Sequence, residues 1–184
     1  TGRRRGLALV ATCALWSSAP ETAELGAMRV TFVDVGQGDA AIVETPTGEV
    51  WLIDAGGDAN ARDPAAPGRA ISRILRTRGI DRIALAVISH PHPDHYLGLA
   101  GIDVPIDRLW AAREDHPRAI FTFATAPPLG LAHQAGEVLL EVLAPRFEGA
   151  PIATVDPVRS VNDNSLVVAV RYRGRTLLFT GDLE

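Results

Sequence analysis

Short apolar runs separated by turn residues make up most of the chain after residue 28, and they predict β-strands rather than long helices. The run at residues 83–89 is apolar almost throughout, which is typical of a strand buried on both faces. The last two runs flank Arg173-Gly174 and predict a hairpin. The predicted strands are residues 29–35, 40–44, 50–53, 83–89, 109–112, 138–143, 166–172 and 175–180.

Helical periodicity is clearest at residues 70–78, where apolar residues share one face and arginines the other. Gly79 is placed to end this helix, and a second, short helix is predicted at residues 96–100. Two groups of strands separated by helices indicate the α/β class and are what a sandwich of two sheets needs.

A cluster of histidines follows the predicted buried strand: His90, His92, Asp94 and His95 lie within six residues. Alternate side chains of an extended segment point the same way, so His90 and His92 can share one metal ion, and the proline after each keeps the backbone extended. Asp94 and His95 are placed to bind a second ion. This H-x-H-x-D-H pattern is rich in the ligands of divalent metals and predicts a metal site at the strand end. By contrast, His116 and His133 are predicted to be surface or loop residues.

Composition adds limits to this picture. The 184 residues are 47% hydrophobic and 22% charged, as in an ordinary globular domain. The net charge is -4 and there is no lysine, which counts against tight binding of duplex DNA by this domain alone. The single cysteine, Cys13, excludes an internal disulfide and leaves metal binding to nitrogen and oxygen ligands.

The N-terminal 27 residues differ from the rest. Arginines at positions 3–5 precede an apolar run at residues 6–16, about half of the roughly 20 residues that a spanning helix needs. We expect a membrane-helix remnant or signal-like segment followed by a linker, with the domain at residues 28–184 on the extracytoplasmic side. The alternative is an amphipathic helix packed on the domain.

Four segments together carry a family resemblance: the H-x-H-x-D-H motif, residues 32–40 (FVDVGQGDA), residues 52–57 (LIDAGG), and residues 160–166 (SVNDNSL) with 179–182 (FTGD). They resemble the metallo-β-lactamase superfamily, and most closely the extracytoplasmic hydrolase domain of ComEC-type DNA-uptake competence proteins. The resemblance implies an αββα sandwich, with the C-terminal part of the domain missing from this chain.

The resemblance also implies a site with two divalent metal ions, zinc or manganese. His90 and His92 would hold the first ion, while Asp94, His95 and Asp182 would hold or share the second. Asp94 would also be catalytic by orienting the attacking water. Many superfamily members place another histidine before the bridging aspartate, but residues 161–165 contain none, as in ComEC-type domains. The residues implied to contact the ligands or the substrate are Asp54, Gln37, Asp39, Asn162 and Asn164.

The implied function is a metal-dependent hydrolase, a phosphodiesterase or nuclease domain of a ComEC-type protein for DNA uptake in natural competence. Its partners would be single-stranded DNA or another phosphodiester, and the cell membrane through an upstream channel domain. Two alternatives stay open. One is a freestanding secreted phosphoesterase, and the other is a non-catalytic DNA-binding module of the uptake channel.

Overall fold

A computed structural model describes residues 26–113 and 123–184. Nearly all of the N-terminal segment with its predicted membrane or signal character, and His116, lie outside the described residues. Within the described ranges, no helix is both long enough and apolar enough to cross a membrane.

The first sheet has five strands in the order β1-β2-β3-β4-β5. The pairs β1–β2 and β2–β3 are antiparallel, whereas β3–β4 and β4–β5 are parallel. Strand β4 lies between two parallel neighbours and is fully buried, which confirms the prediction from its apolar run. The strands are β1 (Arg29–Phe32), β2 (Ala41–Glu44), β3 (Val50–Ile53), β4 (Leu85–Val87) and β5 (Leu109–Trp110).

The second sheet has four antiparallel strands in the order β6-β7-β8-β9. The turn between β8 and β9 has positive φ at both central residues, 47° at Arg173 and 74° at Gly174. This combination matches the twist of a two-residue hairpin, and the predicted hairpin is confirmed. The strands are β6 (Gly130–Ala135), β7 (Val138–Ala144), β8 (Val167–Tyr172) and β9 (Arg175–Phe179).

Strand β6 was not predicted, and the expectation that His133 is a surface or loop residue is wrong. His133 lies on β6, where its side chain is only 14% exposed and its Nε2 is 2.8 Å from Glu49 Oε2. The sequence of β6 has no alternation of apolar and polar residues. Its extended form comes from pairing with β7, a long-range interaction that local pattern does not show.

Helices are few and short. Helix α1 (Ala66–Thr77) begins earlier than predicted because Pro67 lies in its first turn, where a missing N–H costs no hydrogen bond. Helix α2 (Pro93–Tyr96) contains the end of the histidine motif and continues into a 3-10 helix at Leu97–Gly101. A further 3-10 turn spans Asn162–Asn164.

The molecule is layered as helix, sheet, sheet. One core lies between the two sheets and includes Trp51 and Leu85 of the first sheet with Leu140 of the second. The other core joins α1, through Ile71 and Leu75, to the opposite face of the first sheet. Each such fully buried side chain contributes about 1.5–3 kcal/mol. The predicted two-sheet α/β architecture is thus confirmed.

Candidate metal centre

The site lies where the carboxyl ends of strands from both sheets meet. Asp54 follows β3 and Ser89 follows β4, and because these neighbours are parallel their ends share one edge. Asp182 follows β9 of the second sheet. The N–H of Leu166 donates to Ser89 O at 2.7 Å, which joins the second sheet to the first at this edge.

The histidine motif makes a sharp change of direction here. His92 is extended, with φ -86° and ψ 142°, and it caps α2, so that Asp94 and His95 lie in the helix. His90 Nε2 is 3.1 Å from His92 Nδ1, and the ring centroids are 4.7 Å apart. The two side chains converge, as the alternation of an extended segment predicts.

Three potential ligands come together at the centre of the site. His95 Nε2 is 3.3 Å from Asp182 Oδ1, and His90 Nε2 is 3.8 Å from Asp182 Oδ2. Both histidines are buried, while the Asp182 side chain is 38% exposed. Their ligand atoms all lie within 4.8 Å of one another. Among the described residues, a second group with this property is Asp39, Asp54 and His95.

Asp54 and Ser89 fix the imidazoles from behind. The Ser89 N–H donates to Asp54 Oδ1 at 2.7 Å, and Ser89 Oγ donates to Asp54 Oδ2 at 2.8 Å. His95 Nδ1 is 3.0 Å from the same Oδ2, and His90 Nδ1 is 3.0 Å from Ser89 Oγ. Since the carboxylate and the committed hydroxyl can only accept, both Nδ1 atoms are the donors. Both Nε2 atoms therefore carry lone pairs.

Asp54 holds this position with a φ of 55°, in the left-handed region that non-glycine residues rarely adopt. Its N–H donates to Val87 O at 2.8 Å, which anchors the backbone in that conformation. Backbone strain of this kind is often kept at functional sites.

The residues fit a divalent metal ion. His95 Nε2 is buried without a hydrogen-bond partner, and it faces the carboxylate of Asp182. An imidazole lone pair facing a carboxylate needs a cation or a proton between them. Imidazole nitrogen and carboxylate oxygen are the ligands that zinc and manganese accept, and a carboxylate behind the imidazole is the usual support.

Burial and charge shift the protonation of the site. Burial, together with the charge of His95, lowers the pKa of His90 to about 4. Burial also raises the pKa of Asp54, an effect that its hydrogen bonds with His95 and Ser89 only partly offset. Burial lowers the pKa of His95, but Asp54 and Asp182 outweigh it, so that the net pKa is raised.

The remaining predicted residues lie around this cluster. The Asp94 side chain is half-buried and its Oδ2 accepts from Gln37 Nε2 at 3.4 Å, so the structure turns this carboxylate toward the β1–β2 loop. Asp39 is exposed and belongs to the second group of potential ligands. Asn162 Nδ2 donates to Glu184 Oε1 at 3.3 Å, and its Oδ1 is buried without a partner.

Asn164 has a structural role in a neighbouring loop. Its Oδ1 accepts from the Asp156 N–H at 2.7 Å, and its Nδ2 donates to the carbonyls of Asp156 and Ser160, both at 2.9 Å. These bonds fix the loop that leads into the 3-10 turn before β8. The predicted contact of Asn164 with ligand or substrate stays a prediction.

Sequence reasoning missed two serines. Ser89 bonds Asp54 and His90, and Ser165 Oγ is 3.5 Å from His90 Nδ1. Both are buried. The position of Ser89, a small polar residue that ends an apolar strand directly before a predicted ligand, is a signal that could have found it.

Two similar solved structures are metallo-beta-lactamases from Cronobacter sakazakii. One carries a mutated HARLDQ motif and is 23% identical, with a TM-score of 0.49, over 82% of this chain and 60% of its own. The other, with the HARLDQ motif, is 20% identical, with a TM-score of 0.48, over 83% and 60%. This chain thus spans 60% of the length of either structure.

A comparison with curated proteins gives no match. The model of the family described as the metallo-beta-lactamase superfamily matches residues 33–184, a range that contains strands β2–β5 of the first sheet, the whole second sheet and all the predicted site residues. The predicted metallo-β-lactamase fold is confirmed, and the chain belongs to the metallo-beta-lactamase superfamily.

Proposed function

We propose that this chain is a metal-dependent hydrolase of phosphodiester bonds, the nuclease-like extracytoplasmic domain of a ComEC-type DNA-uptake protein. The observation that carries the metal dependence is the buried, unpartnered Nε2 of His95 facing Asp182. Membership of a superfamily that consists mostly of metal-dependent hydrolases supports the reaction class.

Different residues of the site would bind the metal, support the ligands and orient the water. His90, His95 and Asp182 would hold metal, with His92 and Asp94 completing the ligands at the rim. Asp54 accepts the Nδ1 proton of His95, which keeps the opposite nitrogen free to bind. When bound, divalent ions at such a site make water more acidic and stabilise the charge on a phosphoryl group in transfer. The second oxygen of Asp94 would orient the attacking water.

The choice of a phosphodiester substrate rests on the ComEC-type resemblance and on where its segments lie. Residues 32–40 reach the site through the contact of Gln37 with Asp94. Residues 160–166 reach it through Ser165 beside His90, and residues 179–182 supply Asp182. The segments that carry the resemblance therefore lie around the cluster of potential metal ligands, where they can contact a substrate.

The test is a zinc and manganese titration of the protein, with cleavage measured on labelled single-stranded DNA, duplex DNA and bis-p-nitrophenyl phosphate. We expect cleavage of single-stranded DNA that chelator abolishes. His92→Ala and Asp94→Ala should remove this turnover without unfolding the protein. His133→Ala is the matched control, because His133 pairs with Glu49 rather than with the site, and this variant should keep its turnover.

Each other outcome contradicts part of the proposal. Cleavage of the small diester alone would support a secreted phosphoesterase and would argue against DNA as the substrate. Metal binding without any turnover would support a DNA-binding module of the uptake channel. Unchanged turnover in both site variants would refute the assignment of the site itself.

A further inference from the structure

The backbone of the loop between β1 and β2 packs directly against Asp94 of the histidine motif. Gly38 has a φ of 81°, and a Cβ built on it would lie 1.8 Å from Asp94 O and 2.8 Å from Asp94 Cβ. Only glycine leaves room for this approach. The loop is therefore in direct contact with the residue whose carboxylate is predicted to bind metal.

Hydrogen bonds also hold the loop on each side of Gln37. The Gly36 N–H donates to Asp34 Oδ1 at 3.2 Å, and Asp39 O accepts from the Gly56 N–H at 2.9 Å. The second bond connects the loop to the segment after β3, which carries Asp54. Gln37 thus projects from a short span of backbone that is closed by a hydrogen bond within the loop on one side and joined to the segment that carries Asp54 on the other.

Gln37 Nε2 donates to Asp94 Oδ2 at 3.4 Å. The terminal torsion of an aspartate is soft and has two nearly equivalent orientations, so the backbone of α2 alone does not select the direction of the carboxylate. The hydrogen bond from Gln37 to one oxygen does select this direction. The other oxygen of Asp94 is then left to face the potential metal ligands or the attacking water of the proposed reaction.

We propose that Gln37 is a positioning residue, which orients the Asp94 carboxylate for metal binding, and that Gly38 sets the distance at which it does so. This inference rests on the metal-dependent activity proposed above, but its test does not need turnover. Supporting residues behind metal ligands typically change metal affinity or activity by about 10–100-fold. A long and exposed hydrogen bond places Gln37 at the lower end of that range.

The first test replaces Gln37 by methionine, which keeps the length of the side chain and removes the donor. Zinc and manganese affinities are measured by calorimetry, together with kcat and KM on bis-p-nitrophenyl phosphate. We expect about tenfold weaker metal binding with KM little changed. The matched control is Gln134→Met, because Gln134 bonds Gly136 O on the second sheet and its replacement should change neither quantity. Metal affinities equal to those of the wild type in Gln37→Met would overturn the proposal.

The second test separates the contact at Gly38 from the strain of its backbone. Gly36 and Gly38 have nearly the same φ, 79° and 81°, but a Cβ at Gly36 meets nothing within 4 Å. Alanine should therefore strain the backbone equally at the two positions, whereas only alanine at position 38 would also displace Asp94. We expect Gly38→Ala to weaken metal binding more than Gly36→Ala does. Equal losses in the two variants would show that strain alone acts and would overturn the role of Gly38.

The two proposals fail in different ways. A wild-type protein that binds metal and cleaves no phosphodiester refutes the proposed function, while the affinity of Gln37→Met still decides the role of Gln37. An active enzyme whose metal binding is unaffected by Gln37→Met overturns the positioning role alone. A wild-type protein that binds neither zinc nor manganese overturns both.

Discussion

Asp54 Oδ2 lies 3.0 Å from His95 Nδ1, and this carboxylate also accepts two hydrogen bonds from Ser89. Asp54→Asn replaces one accepting oxygen by an N–H donor, so that a donor then faces a donor in a buried place. We expect metal affinity to fall by about 10–100-fold, because the orientation and the tautomer of His95 are no longer fixed. Calorimetric titration with zinc and manganese measures the change.

Asp107→Asn is the control for that substitution. Asp107 pairs with Arg82 at the surface, and surface ion pairs contribute about 0–1 kcal/mol. The control should bind metal as the wild type does. Equal affinities in the wild type and Asp54→Asn would contradict the supporting role of Asp54.

Ser89→Ala tests the buried hydroxyl. Its removal takes a donor from Asp54 Oδ2 and an acceptor from His90 Nδ1, and both groups are buried. Leaving such groups unsatisfied costs about 1–3 kcal/mol, so the free energy of unfolding should fall by that amount in urea denaturation. Metal binding should weaken as well, because His90 loses the partner that fixes its tautomer.

The comparison variant is Ser72→Ala. Ser72 is also buried, and its hydroxyl bonds Gly101 O and the Asp103 N–H, on the α1 side of the first sheet. It should lose a similar free energy of unfolding and keep the metal affinity of the wild type. If both serine variants kept that affinity, the role of Ser89 in the site would be wrong, whatever its effect on stability.

Glu49 makes the stability sensitive to acid. Burial raises its pKa, but hydrogen bonds from His133 and Trp51 and the charges of His133 and Arg108 outweigh burial and hold the pKa below its ordinary value. The stabilisation is therefore present above the ordinary pKa of 4.5 and is lost as the pH falls through the lower folded value. Glu49→Gln should lose less stability than the wild type between neutral pH and about pH 3.

Solvent limits the size of this effect. The Glu49 side chain is 37% exposed, so screening keeps the expected difference below about 1 kcal/mol. Urea denaturation at the two pH values measures it. The control is Glu137→Gln. Glu137 pairs with Arg173 and its side chain is 69% exposed, so this variant should lose as much stability between the two pH values as the wild type does. An identical pH dependence in Glu49→Gln and the wild type would rule out the proposed contribution.

Local pattern was sufficient to predict those parts of the fold in which burial and turn chemistry agree. The run at β4 predicts a strand buried on both faces, and Arg173-Gly174 predicts the hairpin, because each is specified by residues adjacent in sequence. Strand β6 depends on its pairing with β7 and has no alternation of its own, so only the folded chain reveals it.

The same distinction holds in the site. The histidine motif is contiguous and could be predicted, and its resemblance to a known family added Asp54 and Asp182. The roles of Ser89 and Ser165 depend on contacts between elements far apart in the chain, such as the 3.5 Å approach of Ser165 Oγ to His90 Nδ1. Sequence pattern also placed Asp94 among the ligands, but its hydrogen bond with Gln37 is visible only in three dimensions.

The metal centre draws on both sheets, with His90 and His95 reached from the first and Asp182 from the second. An ion held by these side chains would add a non-covalent link between two layers that are also joined by apolar packing and by hydrogen bonds such as that from the Leu166 N–H to Ser89 O. A ligand that binds only the folded state stabilises it by about 2.7 kcal/mol at one hundred times its dissociation constant. Metal binding would therefore stabilise the contact between the two sheets as well as supply the activity proposed above.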